Sequence, residues 1–328
     1  MRRRPLLLAA LAAPAVARAQ PIAGGRPIRL VVPFPPGGAV DILGRLIAER
    51  LQTVIGQSVV VENRGGAGGL LGADVVAKGP ADGSILGLIS VTTLAAASYM
   101  SRNMPFDPQK DLTPVTQVTT GGLLCVVNAE TATRRRWTDF RSVILWGRAN
   151  PEGIRMGSSG TGTTSHLNIE AVNQATGARI LHVPYRGGGP AINDLLSGTI
   201  DMMFDVSPAL MPHVESGKFK AMAVSTAQRL GFAPDIPGYA EFADIGLGEM
   251  DVVTWNALMT AAHTPAPVVE RLFGAIRQVA VMPDFIERLR PLGYDVVTSA
   301  TPAALGALIA AEQAPWRRLV EISGARLD

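Results

Sequence analysis

From residue 26 onward, short apolar runs of strand length alternate with stretches whose apolar residues recur at helical spacing. IRLVV (28–32) is followed by Leu43, Leu46, Ile47, Leu51 and Val54, which share one helix face. SVVVEN (58–63) leads through RGGAGGLLG into a short helix around Val75 and Val76, and SILGLIS (84–90) leads into a helix over 94–99. After residue 122 the pattern resumes: LLCVV reads as a strand, 137–148 as a helix and GIRMG as a short strand. ILHVPY (180–185), a helix near 191–196, IDMMFD (200–205) and FKAMAV (219–224) come next. Residues 226–250, rich in Pro, Gly and Asp, read as a long surface connection. DVVTWNALMTA (251–261) reads as a strand that crosses back, and the tail as helices over 267–281, 284–289 and 302–322. Such β-α alternation predicts an α/β protein of two units, each a mostly parallel sheet flanked by helices. The first unit is discontinuous (26–122 plus 253–328), the second spans 123–252, and two crossing segments between them form a hinge.

Two glycine-rich turns stand where a strand hands over to a helix: PFPPGGAVD (33–41) and RMGSSGTGTTSHL (155–167). A turn of this kind aims free backbone N–H groups and the positive end of a helix at one spot, which suits an anion. In the first, Asp41 falls in the helix's first turn, where it can cap N–H groups, complement the dipole or accept a hydrogen bond from a ligand or water. In the second, Ser158, Ser159, Thr161, Thr163 and Thr164 add hydroxyls; the plain alternative is a Ser/Thr-rich cap. Thr163 stands where a phosphate-binding loop needs lysine, and Thr161 where a nucleophile elbow needs glycine. RGGAGGLLG does not carry the dinucleotide fingerprint. A single carboxylate fits the pair of turns better than a nucleotide.

Of 328 residues, 47% are hydrophobic and 17% charged, enough for substantial cores. Residues 1–19 carry a positive n-region (Arg2–Arg4), an apolar core (6–16) and Ala17-Arg18-Ala19, the layout of a secretory signal cleaved after Ala19. Without those residues Lys+Arg falls from 30 to 26 against 27 Asp+Glu, so the basic charge disappears and nothing points to nucleic acid. The one cysteine, Cys125, lies in an apolar strand and reads as an inert buried thiol.

Catalytic and metal chemistry are thinly represented. His166, His182, His213 and His263 have no metal-ligand spacing, and no cofactor motif appears. His166 beside the hydroxyl cluster can serve as base to Ser158 or Ser159, the rival reading of an esterase-like hydrolase. Asp205 ends a strand, where open α/β sheets bind ligands; equally, it can cap the turn at Ser207-Pro208. Tyr185 offers a phenol and a flat apolar wall. Arg186 reads as a solvated rim charge.

In this order, PFPPGGAVD, VVVENRGGAGG, ADGSILG, MPFDPQKDLTPV, GSSGTGTTSHL, HVPYRGGGPAINDLLSGTIDMMFD and PLGYDVV resemble the substrate-binding proteins of tripartite tricarboxylate transporters, the Bug family. The resemblance implies a two-lobed type II periplasmic binding fold in a monomeric, non-catalytic, periplasmic receptor. Such a receptor takes a small organic carboxylate (a di- or tricarboxylate, an acidic amino acid or an aromatic acid) and passes it to a two-component membrane permease. The same fold serving a sensor instead is the alternative. By position it implies Phe34, Gly37, Gly38, Asp41 and Ser90 on the first lobe's side. Ser158, Ser159, Gly160, Thr163, Thr164 and His166 follow on the second, with Tyr185, Gly188 and Asp205 lining the rest. Val206 departs from the polar residue common in relatives and points to a less polar or smaller ligand.

Overall fold

The computed structural model describes residues 21–290 and 293–327, so the signal-like segment lies outside the described residues. The chain opens with β1 (Ile28–Val32), α1 (Ala39–Ile55), β2 (Val59–Asn63), α2 (Leu70–Ala77), β3 (Ile85–Ser90) and α3 (Ala97–Met100). Then come the long strand β4 (Leu112–Asn128), α4 (Ala129–Arg135), α5 (Phe140–Ala149), β5 (Arg155–Ser158), α6 (Thr164–Thr176), β6 (Leu181–Pro184) and α7 (Gly188–Leu196). The chain continues through β7 (Met202–Val206), α8 (Met211–Glu215), β8 (Phe219–Val224) and β9 (Val253–Ala261). It closes with α9 (Ala266–Ala280), α10 (Pro283–Leu289), β10 (Asp295–Val296) and α11 (Pro302–Ser323).

The βαβ crossovers produce the parallel pairs: β1 with β2 and β3, and β5 with β6 and β7. Every antiparallel pair involves β4 or β9. These strands have a different task. The first part of β4 (112–122) runs beside β9, and its second part (123–128) runs between β7 and β8. One strand therefore belongs to two sheets, and the pairing partner changes between Gly122 and Leu123. The sequence reading found only the LLCVV half, because 112–120 alternates Thr and Gln with apolar residues and lacks an apolar run. Even so, Val115 and Val118 are buried on one face and Thr116 and Thr119 are buried too, since helices or loops cover both faces there.

Apolar layers flank each sheet. Leu43, Ile47 and Leu51 of α1 pack with Leu30, Leu88 and Leu258 beneath one sheet. Phe140, Phe204 and Tyr239 meet beneath the other, Phe140 edge-on to Phe204 and stacked with Tyr239. Tyr239 corrects the reading of 226–250 as a surface connection. Its side chain is fully buried and exchanges hydrogen bonds with Asn168, and Phe242, Ile245 and Leu247 join the same core. A single buried aromatic anchor removes enough apolar area from water to tie down an otherwise polar loop. Trp137–Arg148, expected as one helix, is shorter: Asp139 and Ser142 form a capping box that starts α5 at Phe140. Cys125 is fully buried, and burial pushes its thiol well up, as expected for an inert residue.

Candidate ligand-binding site

In the turn after β1, Pro35 and Pro36 stiffen the chain and Gly37 adopts φ 83°, which favours glycine. Asp41 is 3% exposed and holds this turn from behind. It accepts from the Gly37 N–H (2.9 Å), Arg45 Nε (3.0 Å) and Asn63 Nδ2 (2.8 Å), and Asn63 also donates to the Phe34 carbonyl (3.0 Å). Burial pushes the Asp41 carboxyl up, but those three donors outweigh it and hold the group below its ordinary value. Gly38, the N-cap, has no side chain to satisfy the helix start, so the first-turn N–H groups of α1 at Ala39 and Val40 are left for another acceptor.

The turn after β5 is held without charge. Ser158 is fully buried; its Oγ lies 2.6 Å from His182 Nε2 and accepts from the Gly160 N–H at 3.2 Å. Gly160, at φ 138°, turns its carbonyl to accept from Thr163 Oγ1 (2.7 Å), and Thr163 caps α6 by accepting from the His166 N–H. The Gly162 N–H donates to His166 Nδ1 at 3.1 Å, so that nitrogen carries no proton and the ring's proton sits on Nε2. His166 and His182 stack at 4.0 Å and 14°. Burial lowers His166 to about 4; burial together with the neighbouring ring lowers His182 to about 3, so both are neutral near pH 7.

His166, Glu170 and His182 bring donor atoms within 4.8 Å of one another, the one grouping of metal-ligand type among the described residues. It does not suit a divalent ion. An imidazole binds a metal in its own plane, and two stacked, nearly parallel rings have no common in-plane point between them. His166 Nδ1 is also already engaged. The serine–histidine pair that forms is Ser158 with His182, not the pairing of Ser158 or Ser159 with His166 that the hydrolase reading expected, and Ser158 is fully buried.

Across from these turns, Gly187 starts α7 without a side-chain cap. Asp205, at the end of β7, is 7% exposed. Its Oδ1 accepts the Val206 N–H at 2.8 Å, and its Oδ2 lies 2.7 Å from where a Cβ on Gly188 would stand. Burial pushes this carboxyl up to about 7, with the Val206 N–H pulling the other way.

These pieces surround one cleft of ≈ 80 Å³, lined by Phe34, Gly38, Ser90, Ser159, Thr163, Thr164, Gly188 and Asp205 of the residues expected to bind. Gly160 and Tyr185 line a larger adjoining opening of ≈ 790 Å³, with Arg326 and Leu327. Gly37, Asp41, Ser158 and His166 line neither; they brace the turns from behind. The Tyr185 phenol is also committed elsewhere, donating to Asp194 Oδ2 at 2.6 Å. The two sides approach closely: a Cβ on Gly187 would lie 3.4 Å from Pro35 Cγ, and one on Gly68 3.1 Å from the Thr161 carbonyl.

Sequence reasoning missed Thr92, Thr254 and Asn256, which also line the cleft. Asn256 sits opposite Ser90 on β3 and Thr119 on β4. Its signal was available: an amide inside the otherwise apolar run WNALM is a buried polar group in need of a reason.

A family model described as "Tripartite tricarboxylate transporter family receptor" (TctC) matches residues 43–324. The chain belongs to this family. It is similar to BugT of Bordetella pertussis (34% identical, covering 97% of this chain and 95% of that one). Among solved structures, R. palustris Rpa4515 with adipate superposes with a TM-score of 0.85 at 31% identity, over 92% of this chain and 98% of the other. MatC from Rhodopseudomonas palustris with bound malate gives 0.81 at 29% identity, over 90% and 99%. The two-lobed periplasmic binding fold expected of a TctC receptor is the fold of this chain.

Proposed function

We propose that this TctC receptor is an exported, non-catalytic solute-binding protein that closes its two lobes on a small organic carboxylate and delivers it to a two-component membrane permease. The observation that carries the reading is the pair of helix starts, α1 at Ala39–Val40 and α6 at Thr164–Ser165, which line one cleft from opposite sides. A helix end contributes about 0.3–1 kcal/mol to an exposed anion and up to about 2 when partly buried. Micromolar affinity needs about 8 kcal/mol, so neither turn alone suffices. Charge-assisted hydrogen bonds from both, strengthened as closure removes water, can make up the difference.

The lobe limits we propose are 26–122 plus 253–328 and 123–252, with the hinge where β4 changes partner and where the chain re-enters β9. Adipate and malate bound by family neighbours support the ligand class. Residues 1–19 direct export to the periplasm in this reading. Closure then distinguishes loaded from empty receptor for the permease by population shift.

The test is isothermal calorimetry on protein beginning at Gln20, across a panel of small carboxylates with a neutral sugar and a divalent cation as controls. Binding heat with at least one carboxylate, lost on adding Pro at Val40 to remove a first-turn N–H, is the expected result. Heat with the sugar or cation alone would overturn it.

A further inference from the structure

Two buried aspartates stand beside this cleft, and the protein treats them oppositely. Asp41, behind the first turn, is answered by three donors. Asp205 is 7% exposed and lines the cleft itself, the one acidic side chain to do so among the described residues. Its Oδ1 accepts the Val206 N–H at 2.8 Å, and among those residues no other hydrogen bond to the carboxyl forms. Gly188 leaves its Oδ2 clear, since a Cβ there would stand 2.7 Å from that oxygen. No neighbouring element supplies it with a cation. On β4, Leu124 stands opposite Asp205, and Arg155 of β5 is engaged by Asp201. On α6, Ser165 donates to the Phe204 carbonyl, His166 is neutral, and Glu170 groups with His166 and His182. On α7, Asp194 is held by the Tyr185 phenol, and on α1, Arg45 is paired with Asp41. Tyr294, just before β10, is buried; that burial, and then the Asp205 charge, push its phenol up. Arg186, the cation that lines the cleft, is exposed.

An ionised Asp205 opposes the anion that the helix starts attract. A cleft of ≈ 80 Å³ is about 5 Å across, and like charges that close repel strongly once water is excluded. A protonated Asp205 does the reverse, because its O–H is a donor and a carboxyl-to-carboxylate hydrogen bond is short and strong. Burial already pushes the group up to about 7, so a proton is readily held there. Resting on the reading that the cleft holds a carboxylate, we propose that this receptor captures its ligand together with one proton, held between Asp205 and a ligand carboxylate. The proton comes from solvent, and no covalent bond between heavy atoms changes. Proton and ligand each strengthen the binding of the other, so capture is favoured as pH falls and weakens as Asp205 ionises.

Calorimetry on protein beginning at Gln20 tests this, with malate, adipate, lactate and propionate as probes. Between about pH 6.5 and 8.5 these acids are ionised, so they neither gain nor lose protons of their own. The stacked histidines, at about 4 and about 3, do not titrate in that window either. At about pH 8, heats compared in phosphate and Tris, whose ionisation heats differ, count the protons taken up; about one per bound acid is expected. Wild-type affinity should fall by at least about tenfold from about pH 6.5 to about pH 8.5, as the protonated fraction of Asp205 shrinks. Asp205→Asn keeps the shape, is neutral and offers an N–H at every pH. It should bind without proton uptake and hold its affinity level across the window. At the alkaline end it should bind about tenfold more tightly than wild type, a gain that structural damage does not produce. Asp205→Ala, neutral but without a donor, should be equally level and weaker than Asp205→Asn throughout. Wild type binding with no proton uptake, a pH slope that survives in Asp205→Asn, or Asp205→Ala as tight as Asp205→Asn would overturn the proposal and leave the carboxylate reading standing. Failure of every acid to bind the folded wild type would overturn both.

Discussion

In the turn after β1 the brace is ionic: Asp41 gathers the Gly37 N–H, Arg45 and Asn63 around one buried carboxylate. In the turn after β5 it is neutral: Ser158, Thr163 and two stacked imidazoles do the same work with no formal charge. Both arrangements free first-turn N–H groups toward the cleft by satisfying the rest of the turn from behind. They differ in what disables them. A carboxylate with three donors resists acid, because protonation must displace hydrogen bonds that favour the charged form. Buried neutral histidines are the opposite case, because the unfolded chain gains protons that the folded one refuses.

The sharpest way to break this comparison is to lower the pH. Between pH 6.5 and about 4 the unfolded histidines are protonated and the folded pair is not, so their contribution is intact above 6.5 and declines as pH falls. Discounted for relaxation, the pair should lose about 4 kcal/mol by pH 4. Urea unfolding of wild type against His166→Gln/His182→Gln should show the wild type losing stability more steeply over that window. Parallel curves would mean that the stacked pair is not what titrates.

Asp205 responds with the reverse sign. Its raised value means that the folded protein keeps a proton which the unfolded chain releases between about pH 4 and 7, so rising pH costs stability. Asp205→Asn should therefore be about 3 kcal/mol more stable than wild type at pH 8 and nearly equal to it at pH 4. A variant less stable than wild type at pH 8 would contradict this account.

Asp41→Ala should cost about 2 kcal/mol and weaken ligand binding as well, since it leaves the Gly37 N–H and Asn63 unanswered and lets the turn relax. Full affinity in that variant would show that α1 holds the turn by itself. Smallest is Tyr185→Phe, which removes the bond to Asp194 and should cost about 1 kcal/mol with no change in affinity. An affinity loss there would put the phenol in the site after all.

The two turns were visible in the chain as glycine-proline and glycine-hydroxyl clusters following strands, and so was their common suitability for an anion. Which of their residues touch the cleft was not. Asp41, Ser158 and His166 look like ligand contacts in a linear reading because each stands beside residues that do line it. Only packing turns them inward. Asn256 was marked as an amide in an apolar run, but only pairing with the distant Ser90 and Thr119 brings it to the cleft, and Thr92 lines the cleft beside Ser90, its neighbour two residues back. Tyr239 was lost in a polar loop for the same reason, its partner Asn168 being 71 positions away.

The sequence alone determined the local chemistry: the helix faces, the turns that need glycine, the absence of a phosphate-binding lysine, and enough apolar residues for several cores. These follow from spacing and side-chain type over a few residues. Tertiary structure decided that one strand serves two sheets, that the turns line a single cleft, and that Thr92, Thr254 and Asn256 join its lining. Those facts depend on which strands lie side by side, and hydrogen bonding between distant segments fixes that, not anything written within a segment.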